Sequence, residues 1–289
     1  MPQKVAVAIV HGIGSQKEDF ADEMIGLLSK HFSKRIADQT EDPASQLVFK
    51  PVYWSSVFEE EENILWERLQ TGGKMDYIKL RLFIINYLAD AIAYQPTIER
   101  HHNYDNVHQV FAKSLRFLSE AAGATAPLCV ISHSLGSVIA SNYFYDLQYQ
   151  PDNIRRPVRI EMGNTPLEQG NTFAQFYTLG SALALWSLRY ENFGNAIHVP
   201  SPKLSAYYPK LDGGWWNLYD KDDVLGYPLK TLNPQYAKAV TEDIVLNVGG
   251  LFKSWNPLSH SEYDTDPDVI KPIAERLAEM WLTVNGRKN

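Results

Sequence analysis

The chain of 289 residues contains one cysteine. No internal disulfide is available, and nothing calls for an oxidising compartment. Cys129 stands in an apolar run and reads as a small core residue. Basic residues are not in excess, with 27 Lys and Arg against 34 Asp and Glu for a net charge of −7. No basic face stands out, which argues against nucleic acid as a partner. A long uninterrupted hydrophobic run is also missing. The most apolar stretch, "YIKLRLFIINYLADAIAY" at 77–94, is broken by Lys79, Arg81 and Asp90. It reads as a buried or amphipathic helix rather than a transmembrane segment. The opening "MPQKVAVAIVHG" offers only a short apolar run before His11. That is brief for a signal peptide and lacks a small-residue cleavage site, so Val5–Val10 reads as a buried strand and the protein as cytoplasmic. No internal repeat, low-complexity linker or boundary between two domains is visible.

Hydrophobic residues make up 45% of the chain and charged residues 21%, an ordinary globular balance that supports a sizeable core. The length suits one large α/β domain over 1–289. Short apolar runs alternate with helical stretches, the pattern of a mostly parallel sheet flanked by helices. Strands are expected at Val5–Val10, Leu47–Trp54, Leu128–Ser132, Phe176–Leu179, Trp215–Tyr219 and Asp243–Val248. Helices are expected near 18–37, 58–70, 75–94, 104–122 and 135–148. A last helix ends near Val284, with Pro267 or Pro272 in its first turn. The helical segment 57–98, inserted before the third strand, is a candidate cap or lid. Segments 149–175 and 193–214 are rich in turn residues and read as surface loops.

Four short motifs carry the chemistry. In "VISHSLGSVIA", 130–140, Ser134 sits between an apolar strand and a helix. The frame Ser132-His133-Ser134-Leu135-Gly136 is one residue away from G-x-S-x-G, in which a sharp strand-to-helix bend projects a serine and needs small neighbours. Taken alone, it is equally a serine-rich turn. "IVHGIG", 9–14, puts His-Gly directly after the first strand, where glycines let a backbone N–H, that of Ile13, face the serine. The N–H of Leu135 is the second candidate oxyanion donor. A dinucleotide loop competes for Gly12 and Gly14, but Lys17 stands where the third glycine is needed. A phosphate loop is excluded by the missing G-K-[ST] ending. His11 reads as structural.

"WWNLYDKDDVLGYPL", 215–229, places Asp220, Asp222 and Asp223 at the end of a strand, where a carboxylate can orient a base. The same composition also suits a solvated turn. "NPLSHSEYDTDPDVI", 256–270, supplies His260. Of eight histidines, it alone lies between the last strand and the last helix. His101 and His102 are adjacent and point apart, so no metal site is expected. His133 would point away from Ser134, and His31, His108 and His198 read as surface or loop residues.

The order Ser134, Asp, His260 is that of the α/β-hydrolases. On these residues the chain resembles the α/β-hydrolase superfamily, and within it the bacterial lipase- and esterase-type serine hydrolases with H-G-x-G near the N-terminus. The resemblance spans roughly 4–285. It departs from the pattern at Ser132. "FYTLGSALALW", 176–186, is similar to a "GSP" segment of such enzymes, with Ala182 in place of proline. The resemblance implies a single α/β-hydrolase domain and a triad of Ser134, His260 and Asp222, with Asp223 the second choice of acid. It implies no cofactor or metal, and a small-molecule or lipid-like ester substrate, which leaves peripheral contact with a membrane open. Thioester or peptide hydrolysis would use the same groups. A hydrolase-fold protein that binds without turnover is the alternative of a different class.

Overall fold

The computed structural model describes residues 2–13, 16–71, 91–95, 103–248 and 263–287. Most of the candidate lid, 72–90 and 96–98, lies outside the described residues. So do Gly14, His101, His102 and His260.

Six strands form one sheet: β1 (Val5–Val10), β2 (Leu47–Val52), β3 (Leu128–His133), β4 (Phe173–Leu179), β5 (Gly214–Asp220) and β6 (Glu242–Leu246). Their order is β2-β1-β3-β4-β5-β6, and every neighbouring pair is parallel. Helices cover both faces, so the central strands are buried along nearly their whole length instead of alternating. On β1 the alternation survives only as a choice of layer. Ala6, Ala8 and Val10 pack into one core, while Val5, Val7 and Ile9 pack into the other.

The helices are α1 (Asp22–Ile36), α2 (Glu59–Thr71), α3 (Asn103–Ala122), α4 (Leu135–Tyr149), α5 (Arg156–Glu161), α6 (Leu183–Trp186), α7 (Pro234–Ala239) and α8 (Pro267–Val284). α1 and α8 bury Leu28, Phe32, Ile273, Leu277 and Trp281 against one side of the sheet. α3 and α4 bury Phe111, Leu115, Val138 and Phe144 against the other. α8 begins at Pro267, where the missing N–H is harmless, and the Asp266 side chain caps the N–H of Asp268 at 2.8 Å. Pro272 therefore falls inside the helix.

The strand order locates the site. From β1 the chain crosses to β2 on one side. From β3 it proceeds to β4, β5 and β6 on the other. Loops leaving β1 and β3 diverge to opposite faces, and such a reversal opens a crevice at the carboxyl ends of the strands. His11–Ile13 and Ser134 stand at that reversal. Among the described residues, no helix is long and apolar enough to cross a membrane.

Candidate active site

Ser134 joins β3 to α4 with φ 50° and ψ −123°. A non-glycine residue with this backbone is strained by roughly 1–3 kcal/mol, and such strain survives only where the surroundings impose it. They do so from three sides. The Ser134 N–H continues the sheet by donating to the Leu179 carbonyl at 2.9 Å. The Ser134 carbonyl accepts from the Ser137 N–H at 3.1 Å and starts the helix. The first turn of α4 then presses on β1, where a Cβ on Gly136 would run into the carbonyl oxygens of His11 and Val10.

Ser132 holds the position where the usual pattern has glycine. It is buried, and its Oγ lies 3.1 Å from both Ser137 Oγ and the Tyr177 carbonyl oxygen. The extra hydroxyl is thus absorbed by hydrogen bonds within the bend, at no cost of an unpaired polar group.

The β1 loop closes over the serine. A Cβ on Gly12 would come 2.9 Å from Ser134 Cβ and 3.1 Å from His133 Nδ1, so only glycine permits the approach. Ile13, next in the loop, is half-buried against the core. Leu135 is the first residue of α4, and a first-turn N–H has no acceptor inside its own helix. His11 anchors the loop. Its ring stacks on Trp54 at 4.6 Å, and its carbonyl accepts from Trp54 Nε1 at 2.8 Å. Nδ1 donates to the Gly12 carbonyl at 2.6 Å, and Nε2 accepts from the Ser55 N–H at 3.4 Å. Burial drives the ring pKa down to about 4, only partly offset by the Gly12 bond. His11 is therefore a neutral structural residue.

The acidic turn after β5 separates its three aspartates. Asp220 is buried and fully engaged by backbone: Oδ1 accepts from the Asp222 N–H at 2.8 Å and Oδ2 from the Val248 N–H at 2.6 Å. Asp222 is exposed. Asp223 is buried. Its Oδ1 accepts from the Leu225 N–H at 2.9 Å, and its Oδ2 accepts from the Tyr263 hydroxyl at 2.9 Å. A Cβ on Gly226 would meet that Oδ2 at 2.8 Å and Gly180 Cα, at the end of β4, at 3.2 Å.

Tyr263 is a residue to which the sequence motifs assign no role. It is fully buried, accepts from the Asp220 N–H at 2.8 Å, and packs its ring 5.7 Å from that of His133. Burial, reinforced by the Asp223 charge, pushes its hydroxyl well above the usual tyrosine range. It stays a neutral donor. Val248 and Tyr263 flank the segment 249–262, which carries His260. Both flanks are thus tied to the acidic turn.

His108 departs from its expected surface position. It is buried on α3, where Val107, Phe111 and Leu115 form the apolar stripe. Its Nε2 meets the Tyr94 hydroxyl at 3.0 Å, and its Nδ1 faces Asp146 Oδ2 at 3.6 Å. Asp146 Oδ2 also accepts from the Tyr104 hydroxyl at 2.8 Å. Among the described residues, no cluster of His, Cys, Asp and Glu is arranged to hold a metal.

No protein-family model matches the chain, and no curated protein matches it. Similarity appears only among solved structures. One is a protein from Xanthomonas campestris pv. campestris described as a hydrolase of the α/β superfamily, with a TM-score of 0.41, 10% identity, and coverage of 96% of this chain and 97% of that one. A Rhizomucor miehei esterase has a TM-score of 0.44 and 11% identity over 98% of this chain and 78% of its own. A phospholipase from Legionella pneumophila in complex with thio-NAD has a TM-score of 0.34 and 13% identity over 81% of this chain and 41% of its own.

Proposed function

We propose that the chain is a serine hydrolase of the α/β-hydrolase type, cleaving a carboxylic ester through an acyl-enzyme on Ser134. The observation that carries this reading is the strained backbone of Ser134 at the strand–helix junction, located where the sheet order reverses. A bend that only linked a strand to a helix would have no use for a strained non-glycine residue.

In this reading His260 removes the Ser134 proton as Oγ attacks the ester carbonyl. The Ile13 and Leu135 N–H groups hold the oxyanion. The tetrahedral intermediate collapses, and the alcohol leaves with the proton from His260. Water then repeats the sequence on the acyl-enzyme and releases the acid. No metal or cofactor enters any step.

For the acid, the contacts favour Asp223 over Asp222. Asp223 is buried and held at both oxygens, one by Tyr263, three residues past His260 in sequence. Asp222 is exposed, where water would weaken its hold on an imidazolium. On the substrate, α2 leaves Ile64, Leu65 and Leu69 exposed, apolar side chains that would suit an acyl chain. Aryl esters from acetate to palmitate test this, and a profile confined to short chains would remove the lipid-like reading.

The nucleophile is tested with a fluorophosphonate probe. Wild type should be labelled and Ser134→Ala should not. Equal labelling of the two would remove Ser134 from the mechanism. A wild type that resists the probe while binding esters would favour a binding protein of the same fold.

A further inference from the structure

Away from Ser134, further along α4, lies a cavity of about 260 Å³. Tyr145, Trp186, Tyr190 and Phe193 give it aromatic walls, and Ser141 and Asn142 bring polar groups from the helix. Ser141 and Tyr145 follow Ser134 by seven and eleven residues, a spacing that repeats one face of a helix. The rim is open, since Tyr190 is 49% exposed and Phe193 39%.

Behind Asn142 stand the buried Tyr94 and His108 and the partly buried Asp146, linked as a relay. Burial drives the His108 pKa down to about 3, so the ring is neutral and one nitrogen must accept. Nδ1 faces the Asp146 carboxylate and takes the proton, which leaves Nε2 as acceptor. The Tyr94 hydroxyl, 3.0 Å away, therefore donates to Nε2. With its proton committed, the Tyr94 oxygen accepts from Asn142 Nδ2 at 3.3 Å. That bond settles which way the amide points. Its NH₂ is turned to the relay and its Oδ1 away from it, as an acceptor held in one orientation.

We propose that this cavity binds a neutral hydroxylated ring, a glycosyl or cyclic polyol group, with Asn142 Oδ1 and Ser141 Oγ reading its hydroxyls. The aromatic walls suit the C–H faces of such a ring, and its hydroxyls supply the donors that a fixed carbonyl oxygen requires. Among the described residues, the only lining residue with a formal charge is Glu191. At the rim Arg189 lays its guanidinium over the Trp186 and Tyr190 rings, at 5.0 and 5.7 Å, so acid and base balance, and among the described lining residues a charged ligand finds no buried counter-ion. The site does not depend on Ser134 being a nucleophile. The ring could belong to a soluble glycoside or to a lipid headgroup.

The test is calorimetric titration and ligand-observed NMR on the full chain. The probes are the methyl glycosides of glucose, galactose, mannose and N-acetylglucosamine, myo-inositol and octyl glucoside, with benzyl alcohol and octanol as ring-only and chain-only controls. At least one glycoside or the inositol should bind. Asn142→Leu should weaken it about tenfold. Tyr94→Phe, which frees the amide to flip, should weaken it about threefold. Thermal melts of both variants show whether folding is intact. A methyl glycoside or inositol that binds points to a soluble source, and octyl glucoside alone to a lipid headgroup. Ser134→Ala should bind as wild type does, whether or not the protein hydrolyses esters. The proposal is overturned if no ring polyol binds, if benzyl alcohol or octanol binds as tightly, or if folded Asn142→Leu binds unchanged.

Discussion

Two hydroxyls invite comparison, Ser134 at the end of β3 and Tyr94 beside α3 and α4, and they differ in where strain and burial go. At the end of β3, Ser134 is held in a backbone conformation that side chains rarely adopt. Beside α3 and α4, Tyr94, His108 and Asp146 lie in line at hydrogen-bonding to near-bonding distances. By contact order the second group looks like a triad. Its energetics oppose that role. Burial pushes the Tyr94 hydroxyl far up and the His108 ring down to about 3, so the proton stays on the hydroxyl and the base stays neutral. Proximity of the three residue types does not make a nucleophile. The backbone around the hydroxyl, and a base able to carry charge, separate a reactive group from an internal brace.

The largest effect that would sharpen this contrast is at Ser134. Ser134→Ala should reduce ester turnover by at least ~10³-fold. Should His108→Gln instead be the change that abolishes probe labelling, the two groups would have to exchange roles. Next is the acidic turn. Asp223→Asn should lower kcat by about 10²–10⁴-fold, while Asp222→Asn should stay within about twofold, as expected of an exposed side chain. Steady-state kinetics with a soluble aryl ester decide it, and the opposite result would move the acid by one residue.

A smaller effect tests the backbone. Gly136→Ala drives a methyl group into the β1 carbonyls and should cost about 2–3 kcal/mol by chemical denaturation, with labelling lost even where the protein stays folded. A folded, fully labelled Gly136→Ala would show that the tight α4–β1 contact is dispensable.

The smallest effect concerns pH. His108 is lowered from 6.5 to about 3 by burial, so the unfolded chain binds its proton first and stability falls as pH drops below 6.5. Asp146 is raised from 3.8 to about 6, chiefly by burial. The folded state holds that proton longer, and stability falls as pH rises from about 4 to 6. The two slopes oppose each other between pH 4 and 6. Asp146→Asn should raise stability at pH 7 by ~1 kcal/mol, a melting shift of a few degrees, and steepen the loss on acidification. His108→Gln should flatten that loss. Melting curves from pH 4 to 8 that are identical for all three proteins would remove the relay from the account.

Much of the fold is legible in the sequence because a parallel sheet covered on both faces forces continuous apolar runs. Val5–Val10 and Leu128–His133 stand out for that reason. The bounds of β4 are less visible, since Phe173 to Gln175 follow a turn-rich stretch and join the sheet through pairing with β3 and, at Gln175, with β5. His108 was misplaced although a signal existed: it falls one residue after Val107 and three before Phe111, on the apolar stripe of α3. Its polarity outweighed its position. Asp222 and Asp223 are indistinguishable in composition, because which one turns inward is decided by turn geometry and by Tyr263, forty residues away. The S-H-S-L-G bend was readable, and with it the backbone strain that such a bend puts on its middle residue, Ser134.

The strand order has a consequence for a protein still being made. The Gly12 loop and Ser134 belong to strands that pair directly, whereas Asp223 follows β5 and Tyr263 follows β6. A nascent chain that has delivered its first 150 residues can already pair β1 with β3 and form the bend, yet it has neither acid nor base. In the reading proposed here, such a chain carries a serine no more reactive than any other until the acidic turn after β5 and the segment that carries His260 have emerged. If that reading holds, the order of the elements acts as a safety catch, keeping the site inert while it is incomplete.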